Sequence, residues 1–478
     1  MQTAQSSFLR LITVLFLTTA LAACGGGGGS GAAGSGAIPP LAQATPGAKP
    51  TANPTAGPTG TPAPRATGTP APRATATPAA TPTPVATPTP VATTAPAGSA
   101  PKHVLTAGYV YGYAGVPTSI PAATVAQYMD WAITSSTYVA ALKGAGMKTM
   151  SYVNFWRNYK SDYPQTGYTD LAPGGADASA EAKDCSGNPL YDSSYGGGYE
   201  ADARTSSALT HAQLVTGNGA AVKQSGFDAI FSDDTGAVWG MVPCGYVQSS
   251  YDAAVNSVDS ALGVPMWINA LGGFADPSSA DDLLQPANVL GSMCELCYGA
   301  NGSTGDYVTS GTTWINTENA EIGAAAQHKI FWAYARVTGD PSTETALRLY
   351  IYGSFLLGYD PSYAMFQEAF KTASGFPVMP ESGLVAEHPL TTYAAVQNYR
   401  TAGGAYVREF ADCYYGGTAI GKCAVAVNPG TSAVGLSSSG YSHAVTVAGS
   451  GVLDGGVVRF DGTPPSTLSP TSAVILVQ

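Results

Sequence analysis

Gly226-Phe227-Asp228-Ala229-Ile230-Phe231-Ser232-Asp233-Asp234 is the stretch that decides the fold. Its centre is a short apolar run, and it ends in two adjacent acids. A run of this length, bounded by a glycine and by acids, reads as a buried strand rather than a helix. Helix-like Ser206–Gln224 precedes it. Helix-like Tyr251–Leu262 follows, and then a second apolar run, Val264–Ala270. Strand, helix and strand at this spacing describe a parallel β–α unit.

The alternation continues outward in both directions. Upstream, His103–Tyr111 reads as a strand, Val125–Gly144 as a helix, Lys148–Phe155 as a strand and Tyr199–Ala203 as a weak one. Downstream, strand-like Asn288–Glu295, Lys329–Ala335 and Tyr363–Phe366 follow helix-like Ser279–Leu284, Asn319–Gln327 and Thr343–Leu357. Eight strands alternating with helices predict an α/β fold, a (β/α)8 TIM barrel over residues 101–378. A doubly wound open sheet is the alternative. No G-x-G-x-x-G follows the first strand, so its dinucleotide-binding form has no support. Residues 379–478 change character to short β-type runs punctuated by Asn428-Pro429-Gly430, Asp454-Gly455-Gly456 and Asp461-Gly462. They predict an antiparallel β-sandwich domain.

The N-terminal hundred residues are of another kind. Residues 1–23 carry Arg10, an apolar stretch too short to span a bilayer, and small residues before Cys24, as in a secretory signal. Leu21-Ala22-Ala23-Cys24 resembles the bacterial lipoprotein lipobox, which implies lipidation at Cys24 and an extracytoplasmic, membrane-anchored protein. Residues 24–100 are Gly/Ser-rich, then Pro/Thr/Ala-rich, with the repeats Thr61–Thr67 and Thr69–Thr75. That composition predicts a disordered, extended tether.

Of the 478 residues, 20 are Lys or Arg and 31 Asp or Glu. Residues 1–100 hold four of the basic residues and none of the acids, so residues 101–478 have 16 basic against 31 acidic side chains, a balance of −15. A nucleic-acid partner is excluded on charge. A nucleotide enzyme lacks its G-x-x-x-x-G-K-[ST], and a serine hydrolase its G-x-S-x-G. No cofactor or metal is expected. The five His are scattered, and only one C-x-x-C is present.

Six cysteines besides Cys24 are an even number in an exported chain, as disulfides require. Cys413 and Cys423 are expected to bridge a hairpin. Cys185, Cys244, Cys294 and Cys297 allow three pairings. Cys294 and Cys297 pair only if the chain turns near Glu295, because residues three apart in an extended strand are about 10 Å apart.

Barrel active sites gather at the C-terminal ends of the strands. Asp233 ends the fourth expected strand, with Asp234 beside it, and Glu295 ends the sixth. Carboxyl groups from these neighbouring ends can converge on one pocket. Such a pair is what cleavage of a glycosidic bond requires. Tyr111, Asn154, Trp156, Asn269, Trp332 and Tyr334 at strand ends, and Asp202 after the weak strand, are candidates to meet a saccharide. Tyr298 and Trp239 are candidate platforms in the loops. The competing roles are structural: helix capping for Asp234, an ion pair for Asp202-Ala203-Arg204, and core packing for the aromatics.

Residues 226–234 resemble the fourth-strand signature G-F-D-G-[IV]-x-x-D-[ND] of the endo-α-1,4-polygalactosaminidase family and allied glycosyl hydrolase-like families. Ala229 stands where a glycine is usual. The resemblance implies that Asp233 is the working carboxylate, with Asp234 in the adjacent slot. Gly291-Ser292-Met293-Cys294-Glu295 resembles the G-x-x-x-E that supplies the second carboxylate. Arg408-Glu409-Phe410 and Val425-Ala426-Val427-Asn428-Pro429 resemble the entry to the C-terminal domain of such hydrolases, with Asp412–Gly421 inserted. The expectation is a monomeric, membrane-tethered glycoside hydrolase acting on a poly- or oligosaccharide. The alternative is a non-catalytic carbohydrate-binding lipoprotein on the same fold.

Overall fold

The computed structural model describes residues 101–478, apart from 114, 160–170, 172, 176, 194–196, 217–223, 236–241, 273–282 and 303–304. The signal segment, Cys24, the tether and Trp239 lie outside the described residues.

Eight parallel strands form the barrel. They are β1 (Ala107–Tyr109), β2 (Trp131–Ile133), β3 (Lys148–Val153), β4 (Ala229–Ser232), β5 (Met266–Gly272), β6 (Val289–Gly302), β7 (Ile330–Arg336) and β8 (Ala364–Ala369). They are ordered β1 to β8 around the sheet. A parallel bridge between Thr106 and Phe366 joins the last strand to the first, and the Phe366 N–H donates to Leu105 O at 2.8 Å. Strands covered on both faces read as continuous apolar runs, and all four residues of β4 are buried.

The crossovers carry helices α1 (Ala122–Val125), α2 (Val139–Gly144), α3 (Ser206–Thr216), α4 (Gln248–Leu262), α5 (Gly311–Ala326) and α6 (Thr345–Gly358). In α4 the apolar residues Tyr251, Val255, Val258 and Leu262 recur at helical spacing and are buried. Gly263, in the left-handed region at φ 61°, ends that helix.

All eight strands are present, with a helix in six of the connections among the described residues, but the second and third strands differ from expectation. Trp131–Ile133 lies inside the stretch that reads as one helix, Val125–Gly144. All three of its residues are buried, so nothing in their pattern alternates. Tyr199–Ala203 is outside the barrel. Gly198–Glu200 instead pairs antiparallel with Arg157–Tyr159 and Tyr191–Asp192 in a small sheet built on the β3–α3 connection. The two differences cancel in the count, so Asp233 and Glu295 still follow the fourth and sixth strands.

The C-terminal residues form an antiparallel sheet of β9 (Leu384–Pro389), β10 (Tyr406–Tyr415), β11 (Thr418–Asn428), β12 (His443–Ala448), β13 (Val457–Gly462) and β14 (Ser472–Val477). Its order is β9-β10-β11-β14-β12-β13. A two-stranded ribbon, Val434–Gly435 with Thr467–Leu468, packs through Val434 and Leu468 on one face. Helix α6 packs on the sheet through β11 and β14 and on the barrel through β6. One continuous core therefore runs from barrel to sheet. Arg348 of α6 is fully buried. It forks onto Glu381 (Nε–Oε1 2.8 Å, Nη2–Oε2 2.5 Å) and donates to Gly449 O at 2.7 Å.

Helix α6 comes close to the sheet at Gly353. A Cβ there would stand 2.7 Å from Cβ of Ala473. Gly353→Val is expected to cost roughly 1–3 kcal/mol of stability through overpacking. A urea unfolding series measures it, and a variant as stable as the parent would show that the helix can back away.

Candidate active site

The site follows from the twofold period of a strand. Met150, Phe231, Trp267, Met293, Trp332 and Met365 point inward and fill the barrel as one cluster. Trp267 packs edge-on against both Trp131 and Trp332, at 5.3 and 5.9 Å between ring centroids. Two residues further along each strand, the same inward parity gives Tyr152, Asp233, Asn269, Glu295, Tyr334 and Gln367. The apolar plug is therefore capped, at the C-terminal mouth, by a layer dominated by polar groups.

Asn269 connects that layer. Its Nδ2 donates to Asp233 Oδ1 and to Glu295 Oε2, both at 2.8 Å. The two N–H bonds of one amide diverge by about 120°, so the two acceptor oxygens stand roughly 5 Å apart. Asp233 also accepts from Tyr152 Oη at 2.5 Å and from the Asp234 N–H at 3.0 Å. Asp234 occupies the left-handed region at φ 49°, which Asp tolerates better than most residues. Its carboxylate turns towards β3, accepting from Asn154 Nδ2 at 3.0 Å, with Arg157 at 3.8 Å. Arg157 is buried and also pairs with Asp192 and Glu200, each at 2.9 Å, so it ties the small sheet to the mouth.

Burial raises the pKa of Asp233, and the charge of Glu295 adds to it, against the hydrogen bonds from Tyr152 and Asn269. Burial also raises Glu295. The Asn269 amide opposes that shift, the charge of Asp234 reinforces it, and Arg336 opposes it. Asp234 is pushed up to about 6 by burial and by Asp233, with Arg157 and Asn154 pulling the other way. Three carboxyls at one mouth cannot all ionise freely, which suits proton transfer near neutral pH. Among the described residues no cluster of His, Cys, Asp or Glu has the arrangement of a metal site.

The structure thus brings Asp233, Asp234, Asn154, Asn269 and Glu295 together, with Tyr334 opposite Glu295 in the β6–β7 ladder. It sends the other expected residues elsewhere. Tyr111 is buried and its hydroxyl donates to Ile120 O. Trp156 is 1% exposed on the outer side of the wall, and Trp332 lies one layer below the mouth. Tyr298 is buried, with its hydroxyl on Glu321 Oε2 at 2.7 Å, because the chain turns at φ 65° and carries the ring under the wall. Asp202 forms an ion pair with Arg204 at 2.7 Å, the local partner three letters of sequence already offered. Tyr152 was missed. The signal for it was parity, since it lies two residues before Asn154 on an apolar strand. Tyr113 leans on Tyr152 at 5.4 Å and adds an aromatic flank.

The remaining cysteines pair as Cys185–Cys244, Cys294–Cys297 and Cys413–Cys423. The first ties the small sheet's connection to the loop after β4. The third spans the β10–β11 hairpin. In the second the chain does turn, with Leu296 and Tyr298 both at positive φ.

No protein-family description matches this chain, and no curated protein matches it in sequence. Solved structures similar to it include the glycoside hydrolase domain of PelA from Pseudomonas aeruginosa, at 13% identity and TM-score 0.37, covering 57% of this chain and 95% of that one. A β-L-arabinopyranosidase from Geobacillus stearothermophilus is similar at 10% identity and TM-score 0.41, over 79% and 96% of the two chains. An α-galactosidase from Thermus thermophilus is similar at 12% identity and TM-score 0.35, over 59% and 64%.

Proposed function

We propose that this protein is an extracytoplasmic glycoside hydrolase that cleaves O-glycosidic bonds of a poly- or oligosaccharide with Asp233 and Glu295. One observation carries the reading: the Asn269 amide spans the two carboxyls at the polar mouth of an otherwise apolar barrel. Residues 101–378 are the catalytic part and 379–478 an accessory domain packed against it. The lipobox-like Cys24 and the tether before residue 101 anchor it to a membrane.

Asp233 is the nucleophile. Three donors hold it, and hydrogen bonds to a carboxylate favour its ionised form. Glu295 is the general acid and base. Burial and the charge of Asp234 favour its protonated form, against the Asn269 amide. In the first step Glu295 gives its proton to the leaving oxygen while a carboxylate oxygen of Asp233 attacks the anomeric carbon. The C–O bond breaks and a glycosyl ester of Asp233 forms. In the second step the Glu295 carboxylate takes a proton from water, the water oxygen attacks the same carbon, and Asp233 leaves. Oxygens about 5 Å apart match the spacing of retaining enzymes, where no room for an intervening water is needed.

The purified protein should therefore release sugars from at least one polymer in a glycan panel that includes galactosaminoglycans. Proton NMR of the first product should show the anomeric configuration of the substrate. Binding of a glycan without any release would favour a carbohydrate-binding protein. Release of the opposite anomer would make Asp233 a base rather than a nucleophile.

A further inference from the structure

The strand that carries Glu295 contains an irregularity placed directly behind it. β6 and β7 run in step from Gly291 opposite Ile330 to Glu295 opposite Tyr334. The next pair is Ala300 opposite Arg336, so residues 296–299 face Ala335 alone. An ordinary bulge adds one residue; this one adds three. All four bulged residues are buried. Leu296 and Tyr298 both hold φ 65°, a conformation that side chains with a Cβ adopt at a cost and keep only when the surroundings over-determine it.

Three contacts supply that over-determination. The Cys294–Cys297 disulfide closes the base of the bulge, with its Cα atoms 5.6 Å apart. Tyr298 Oη donates to Glu321 Oε2 of α5 at 2.7 Å. Gly299 lies so close to α6 that a Cβ would stand 2.5 Å from Cδ1 of Ile351. Cys294 precedes Glu295, so strand alternation puts its sulfur on the rear face while the carboxyl faces the mouth. Where β6 rejoins the ladder, Asn301 Oδ1 accepts from Arg336 Nε at 3.1 Å. The bulge thus sets both the backbone of Glu295 and the place of the cation whose charge it feels.

We propose that Cys294, Cys297 and Tyr298 are positioning residues, which lock the bulge from behind and hold the Glu295 carboxyl at the bond to be cut. This rests on the reading of Glu295 as the proton donor. None of the three touches substrate. Their effect passes through the chain turn into the Glu295 side chain. A donor free to swing loses the alignment on which its contribution depends, and displacement by about 1 Å can cost on the order of 100-fold.

The test compares the full-length parent with Cys294→Ala/Cys297→Ala and with Tyr298→Phe. The expected result is a fall in kcat of roughly 10–100-fold for the double variant and a smaller fall for Tyr298→Phe, with KM within about twofold. A second readout does not need turnover. Protein labelled with 13C at Glu carboxyls is titrated by NMR, and the Glu295 resonance is the one missing from Glu295→Gln. Its midpoint should drop towards the ordinary glutamate range in both variants, because loosening the bulge admits water to a carboxyl that burial had raised. Folded variants with the parent's kcat and Glu295 midpoint would overturn the proposal. If the parent releases no sugar, the hydrolase reading fails by itself, and the midpoint alone decides whether the bulge fixes Glu295. If the double variant does not fold, Tyr298→Phe decides, since it deletes one oxygen and leaves the disulfide intact.

Discussion

Asp233→Ala is expected to lower kcat roughly 10⁴-fold or more while leaving oligosaccharide affinity within a few-fold. Without the carboxylate no glycosyl ester forms, and the Asn269 amide and Tyr152 hydroxyl lose their shared acceptor. The deletion also opens a space of carboxyl size on the face from which attack comes. A small anion such as azide fits there and can attack the anomeric carbon itself. Added azide should therefore restore turnover in Asp233→Ala and yield a glycosyl azide of inverted configuration. Glu295→Gln should behave differently. It removes the proton donor, worth about 10²–10⁴-fold, so substrates with good leaving groups such as nitrophenol should lose far less than natural sugars. A glycosyl azide of inverted configuration from Glu295→Ala, and no rescue in Asp233→Ala, would exchange the two roles. Full activity in both variants would dismiss the pair.

The barrel was legible because α4 and the strands flanking it keep their own periods. Tyr251, Val255, Val258 and Leu262 trace one helical face, and Ala229–Ser232 is too short and too apolar to be another. β2 was hidden because three residues buried on both sides carry no alternation, and Trp131 extends the apolar stretch of neighbouring helices. The pairing of Asp233 with Glu295 was accessible from the order of strands around a barrel. Their link through Asn269 was not, since sequence names the amide but not its aim. Cys297 shows the limit most plainly. Counting by twos from Glu295 puts its side chain at the mouth, yet it bridges to Cys294 on the rear face, because the positive φ at Leu296 resets the parity of the strand. Alongside the Cys294–Cys297 bridge, contacts distant in sequence, with Glu321 and Ile351, hold that turn.

Stability should fall as pH rises from about 5 to 8, and Asp259→Asn should flatten that fall. Asp259 lies on α4 with no exposed surface, and among the described residues neither of its carboxyl oxygens meets a hydrogen-bond partner. Burial pushes its pKa up to about 8. In the unfolded chain it titrates near 3.9. Below that value both states are protonated and pH has no effect. Above it the unfolded state releases a proton that the folded state keeps, so each further pH unit favours unfolding by about 1.4 kcal/mol until the folded group ionises. Over the interval from pH 5 to 8 that amounts to about 4 kcal/mol. Glu318, Glu321 and Glu368 are raised by the same principal cause, burial, and act in the same direction. Asparagine keeps the shape of Asp259 and cannot titrate. The variant should therefore gain on the parent steadily with pH, whatever constant cost the buried amide adds. Urea midpoints at a series of pH values measure the difference. Parallel slopes for parent and Asp259→Asn would mean that water reaches this carboxyl in the folded protein.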